Sequence, residues 1–197
     1  MNPPETEVSA GVSVAVEQYR HDGDIAALFE RMKALSNAAD PEELIAATSV
    51  HHDLPEVVIP AYERVVAARP QDAQAMVVLA NAYWLTGRGS DIVGALAARA
   101  IAADDSNRGA WHLWCLSESN PRGRVERWQQ VAGRFPADQL ARAALADNAA
   151  SLAGAEHDPL ALDLAVRTYE GLWAEASRDE ERRALEESIA KLKGWKL

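Results

Sequence analysis

Three short stretches carry residue types that could do chemistry. His51, His52 and Asp53 stand in a row, and imidazole and carboxylate groups are zinc ligands. A zinc site needs three or four donors that converge on one point, often including cysteine. No cysteine lies nearby, no second ligand pair has metal-site spacing, and adjacent side chains diverge on a helix. The row reads better as a polar turn between helices, with Asp53 as the cap of the next one. His112 and Cys115 are three residues apart, so a helix puts them on one face, the minimum geometry for an imidazole to activate a thiol. His157 beside Asp158 and Pro159 reads as a helix start. The sequence holds no glycine-rich phosphate loop, no Gly-x-Ser-x-Gly elbow and no pair of histidines at metal-binding helical spacing. No catalytic residue, metal or cofactor is expected.

Composition narrows the classes further. A chain of 197 residues, 48% of them hydrophobic, can bury a sizeable core. The formal net charge is −10, and no face gathers Lys and Arg, so nucleic acid, whose condensed cations a basic face must replace, is not an expected partner. Cys115 is the only cysteine. It excludes an internal disulfide and points to a reducing compartment. The start, MNPPETEVSAG, lacks the basic and apolar regions of a signal peptide, and no apolar run approaches the ~20 residues that span a bilayer. A cytoplasmic protein without a membrane partner is expected.

The elements that must position these residues are clearest from Gln71 to Asn107, which reads as two amphipathic helices folded back on each other. Asp72 is a cap for the first, and Met76, Leu79, Ala80 and Tyr83 fall on one of its faces. Gly87 stops it. Ser90 is the expected cap of the second, with Ile92, Val93, Leu96, Ala97, Ala100 and Ile101 on one stripe. Small Ala80, Ala97 and Ala100 would let the helices approach closely. This pattern resembles the tetratricopeptide repeat family, whose motif is a helix, a tight turn and a second helix over about 34 residues. Met76, Leu79, Ala80, Tyr83 and Ala100 match that motif in type and spacing. Val93, Ala97 and Asp105 stand where the family prefers Ala, an aromatic and Pro, and one extra residue sits near Arg88.

The register repeats. Its aromatic slot falls on Tyr62, Ala97 and Trp128, separated by 35 and 31 residues, and its terminal slot falls on Pro70, Asp105 and Pro136 with the same separations. In the third unit Trp111, Trp114 and Cys115 take the large, Leu and small slots of the first helix. Cys115 in a small buried slot makes a catalytic dyad with His112 the weaker reading. The resemblance implies an all-α fold, a right-handed α-α superhelix of antiparallel helix pairs.

Taken in order, residues 1–11 suit a flexible arm and 12–39 an N-terminal helical cap. Val12, Val14 and Val16 alternate with small residues, which leaves helix and strand both open for residues 12–20. Ile25, Leu28, Phe29, Met32 and Leu35 have helical spacing. Helix pairs are expected over 40–70, 71–107, 108–136 and 137–176, and a charged capping helix over 177–197. Asp40 with Pro41, Asn120 with Pro121 and Asp158 with Pro159 mark helix starts. Pro60 should kink its helix or delay its regular part. Gly154 should close an alanine-rich helix from Ala137, and Leu160, Leu164, Ala165, Tyr169, Leu172 and Trp173 should supply the next buried face. Ser177 and Glu180 have capping-box spacing, and Asp179 to Arg183 and Glu187 to Lys191 have the spacing of ion pairs. Gly194 ends that last helix.

In arrays of this family the first helices of successive pairs line a concave groove that takes up extended or helical peptides. The resemblance places Gln74, Val77, Asn81, Trp84, His112 and Leu116 in that groove, with Glu43, Ala47, Ala143 and Asp147 beyond them. Asn81 coincides with the Asn that family members use to hold a peptide backbone or a C-terminal carboxylate. Glu43, Val77 and His112 replace the cations of that carboxylate clamp, so a chaperone tail is not expected. Trp84 beside Tyr83 faces either the groove rim or the next helix. The implied function is a non-enzymatic adaptor that binds a partner protein or peptide. A self-associating structural protein, a homo-oligomer, is the alternative, and a helical metal or thiol enzyme stands behind both.

Overall fold

The computed structural model describes residues 6–196, in which eleven α-helices and no strand form. These residues cluster into two compact units, one reaching Leu113 and the other starting at Trp114.

The first unit opens with α1 (Glu7–Asp22) and α2 (Ile25–Ala38). Thr6 Oγ1 accepts the Ser9 amide at 3.1 Å, so residues 7–11 of the expected arm are helical; residues 1–5 lie outside the described residues. The Val12 to Val16 alternation is helical as well. Val12, Ala15 and Val16 point into a cluster with Leu28, Met32, Ala47 and Val57, which leaves Val14 59% exposed. Valines two apart cannot share a helix face, and the four-residue spacing is the one that matters. Gly23 ends α1 at φ 71°, a left-handed conformation that glycine adopts without a Cβ clash. Asp24 then caps α2 through the Ala27 amide at 2.9 Å.

α3 (Pro41–Thr48) is capped by Asp40, whose Oδ1 accepts the Glu42 amide at 2.8 Å. α4 (Pro55–Ala68) packs on both α2 and α3. Leu54, not Asp53, is its N-cap, and no side chain bonds its first turn. α4 runs unbroken through Pro60, which is buried with Val57, Val58, Ile59, Ala61 and Tyr62. This proline is the sixth residue of α4, past the first turn where a proline costs nothing, and the helix continues through it all the same. α5 (Ala73–Leu85) and α6 (Ser90–Ala103) are the central pair and pack on each other. Met76, Leu79, Ala80, Tyr83, Val93, Leu96, Ala97 and Ala100 are all buried. Asp72 caps α5 at 2.9 Å. Ser90 does not cap α6: Gly89 holds the N-cap position and Ser90 is already helical. Ile92 is 44% exposed, because the buried face of α6 centres on Val93, Leu96, Ala97 and Ala100 and Ile92 lies at its edge.

α7 (Arg108–Leu116) spans the division between the units. The second unit continues with α8 (Pro121–Arg134), α9 (Gln139–Glu156), α10 (Pro159–Glu175) and α11 (Asp179–Lys193), each packed on the one before it from α9 on. Asn120 Oδ1 caps α8 by accepting the Gly123 amide at 3.0 Å, and Asp158 Oδ1 caps α10 through two amides at 2.9 and 3.1 Å. Trp128 and Val131 are buried to 2% and below. α9 does not stop at Gly154; it ends at His157 in a left-handed conformation, φ 54°. Gly154 serves packing instead, because a Cβ there would lie 3.2 Å from the Trp195 ring. Leu160 is 80% exposed and Trp173 39% exposed, so the buried face of α10 rests on Ala161, Ala165 and Leu172. Arg178 is the N-cap of α11 without a side-chain bond, so no capping box forms. Asp179–Arg183 and Glu187–Lys191 are not among the ion pairs of the described residues. Lys193 instead reaches Glu170 of α10 at 2.7 Å, and Gly194 ends the helix.

Candidate functional site

On α5, most of the helix surface is buried and one stripe is open. Ala73, Ala75, Met76, Leu79, Ala80, Ala82 and Tyr83 go inward, which leaves Gln74, Val77, Asn81 and Trp84 as a stripe spaced three, four and three residues apart, the step of one helix face. Gln74 and Asn81 are exposed, Val77 is half-buried and Trp84 is 39% exposed. Two neighbours set the stripe's edges. Asn107 Nδ2 donates to Gln74 Oε1 at 3.3 Å. At Gly109, a Cβ would lie 3.1 Å from Val77 Cγ1, so the missing side chain admits the start of α7 close to α5. Tyr83 turns the other way, donating to Glu63 at 2.6 Å with the Arg88 guanidinium 4.4 Å from its ring centre. That arrangement frees Trp84 toward the open face.

Beside Asn81 lies a small cavity of about 150 Å³, lined by His52, Val58, Val77, Val78, Asn81 and Ala82. Such a volume takes one aliphatic or aromatic side chain. His52 stands at its edge, with Nε2 3.3 Å from Tyr62 Oη and the two rings edge-to-face at 5.9 Å. Nothing in the sequence linked His52 to Asn81; the turn after α3 brings them together. The Asn81 amide makes no side-chain hydrogen bond within the described residues, so its donor and acceptor remain available for a ligand backbone.

The other expected positions divide. His112 is half-buried on α7 in the first unit, and Leu116 is 37% exposed in the second. Ala47 is no groove residue: at 7% exposure it is packed under Val12, Ala15 and Val16, because α1 lies on that face of α3. In the second unit Asp147 is exposed and accepts the Tyr169 hydroxyl, while Ala143 is half-buried. Burial, and secondarily the carboxylate of Asp147, raises the Tyr169 pKa above the ordinary value of 10.0.

The residues weighed for catalysis fare differently. Cys115 is fully buried, and burial pushes its thiol up to about 12 against a smaller opposing pull from Arg127. A protonated, enclosed thiol is a poor nucleophile. In the unfolded chain the same thiol ionises near its ordinary 9.0, and Tyr83, held up at about 12 by burial and by Glu63, ionises near 10.0. Both acids therefore hold their protons longer when folded, so stability falls as pH rises from about 9 toward 12. We expect the melting temperature to decline across that window. We also expect native Cys115 to be alkylated at pH 8 at least a hundredfold more slowly than in urea, and equal rates would contradict its burial. No group of three or more His, Cys, Asp or Glu is placed to hold a metal ion among the described residues, and no described helix is long and apolar enough to cross a membrane.

No protein-family profile matches the chain, and no curated protein sequence matches it. Solved structures do. A crystal structure of MamA is similar at 19% identity and TM-score 0.56, over 88% of this chain and 95% of that one. TTC0263, a thermophilic tetratricopeptide repeat protein of Thermus thermophilus, is similar at 18% identity and TM-score 0.54, over 94% and 98%. A tetratricopeptide repeat protein from Parabacteroides merdae is similar at 13% identity and TM-score 0.51, over 95% and 88%. The likeness is one of fold: the chain has the all-helical fold of these tetratricopeptide repeat structures.

Proposed function

We propose that this chain is a non-enzymatic interaction module that holds an extended segment of a partner protein along the open face of α5. The observation that carries the reading is Asn81, an exposed amide with no side-chain hydrogen bond among the described residues, set between a side-chain-sized cavity and the half-exposed ring of Trp84. Each part has a chemical task. The Asn81 amide can donate to a ligand carbonyl and accept from a ligand N–H, which fixes an extended backbone without reading its sequence. The cavity at Val77 and Val78 takes one apolar side chain, and Trp84 supplies a large flat contact of the kind that anchors interfaces. Glu43, Val77 and His112 supply no clamp of cations, so the ligand is an internal segment and not a free carboxylate terminus. The adaptor role and a cytoplasmic setting belong to this same reading.

The test is capture from a native lysate by the tagged full chain, with Asn81→Ala in parallel. The expected outcome is a partner protein retained by the wild type and lost from the variant, at unchanged helix content and melting temperature. Retention of the same proteins by both chains would overturn the reading.

A further inference from the structure

Two apolar faces have no part in that reading. Between α1 and α2 lies a groove of about 570 Å³ whose lining includes Ala10, Val14, Ala34 and Leu35, with Arg31 as its only charged residue. Between α10 and α11 lies another of about 490 Å³, formed by Trp173, Ala174, Ile189 and Ala190 and edged by Glu170, Glu186 and Lys193. Val14 and Trp173, one on each face, are 59% and 39% exposed. Each groove leaves apolar side chains open to water, and a matching apolar surface set against it would bury them. Within the first unit, helix pairs cover such faces by stacking, α1 on α3 and α2 on α4.

We infer that the α1–α2 face of one molecule docks on the α10–α11 face of a second copy. One contact of this kind covers both apolar faces, whereas a foreign helix covers one and leaves the other. The charges select the same pairing. Lys193 is neutralised by Glu170 at 2.7 Å, which leaves Glu186, the acceptor of the Trp173 indole N–H at 3.0 Å, as the net charge among the lining residues. Opposite it the first face offers the Arg31 guanidinium, which is bonded to Gln18 through one nitrogen and has further donors. Pairing like faces sets Arg31 against Arg31 or Glu186 against Glu186, which costs energy where unlike pairing gains it. The contact is therefore head-to-tail, and each copy carries one half of it on each face.

Sedimentation of the full chain over a hundredfold range of concentration tests this, using Val14→Lys and Ile189→Glu. The expected result is a wild type whose mean mass rises with concentration, while either variant alone remains monomeric with its melting temperature unchanged. Mixed one to one, the variants form a heterodimer and nothing larger, because the mixture retains one intact pair of faces. Arg31→Glu weakens wild-type association several-fold, and Arg31→Glu with Glu186→Arg in the same chain restores it. A wild type that stays monomeric throughout overturns the inference, as does association lost from one variant and kept by the other. Loss of the α5 ligand by Asn81→Ala bears on neither result, so the two readings fail separately.

Discussion

Trp128→Ala is expected to cost about 3–5 kcal/mol, the range for emptying a large buried aromatic site. The ring is 2% exposed, and Val125 and Val131 on the same helix are buried with it. A loss of that size is a large part of the roughly 5–15 kcal/mol that holds an ordinary domain folded. Chemical denaturation should show it as a shift of the midpoint at constant slope. Trp173→Ala, at 39% exposure on α10, serves as the comparison and should cost about 1 kcal/mol or less, as surface changes do. Equal costs would mean that the slot occupied by Trp128 does not belong to the core.

Trp84→Ala is expected to weaken partner binding by about 2 kcal/mol, near thirtyfold, the scale of an aromatic anchor at an interface. Ile92 is 44% exposed but belongs to α6 and not to the stripe of Gln74, Val77, Asn81 and Trp84, so Ile92→Ala should leave affinity within twofold. Both changes should leave melting nearly unchanged. Titration calorimetry against the captured partner checks this. A Trp84→Ala chain that binds as tightly as the wild type, or that unfolds, would remove the anchor from the account.

Much of the fold was legible because helix pairing is written in a long period. Tyr62, Ala97 and Trp128 share one slot and are all buried. Pro70, Asp105 and Pro136 each stand two residues past the last helical residue of α4, α6 and α8. Errors gathered where one residue or one neighbour decides. Ser90 and Gly89 are both acceptable N-caps, and nothing local separates them. Gly154 has the composition of a helix stop, but the ring it makes room for is 41 residues away. Ala47 has the register of a groove residue, yet α1 covers it, and the valines that do so looked as much like a strand as a helix. The candidate site shows the same division. The stripe on α5 follows from spacing along one helix. The cavity at Asn81 does not, since it depends on where the turn after α3 places His52, and spacing within a helix says nothing of that.

The central claim is that the open face of α5 is where a partner lies. Its most direct test is a photo-crosslinking amino acid placed at Val77, with the same group at the exposed Arg99 of α6 as control, in the full chain expressed in its native cells. Crosslinks to another protein from Val77 and none from Arg99 are the predicted result. Adducts of the same protein from both positions, or from Arg99 alone, would contradict it.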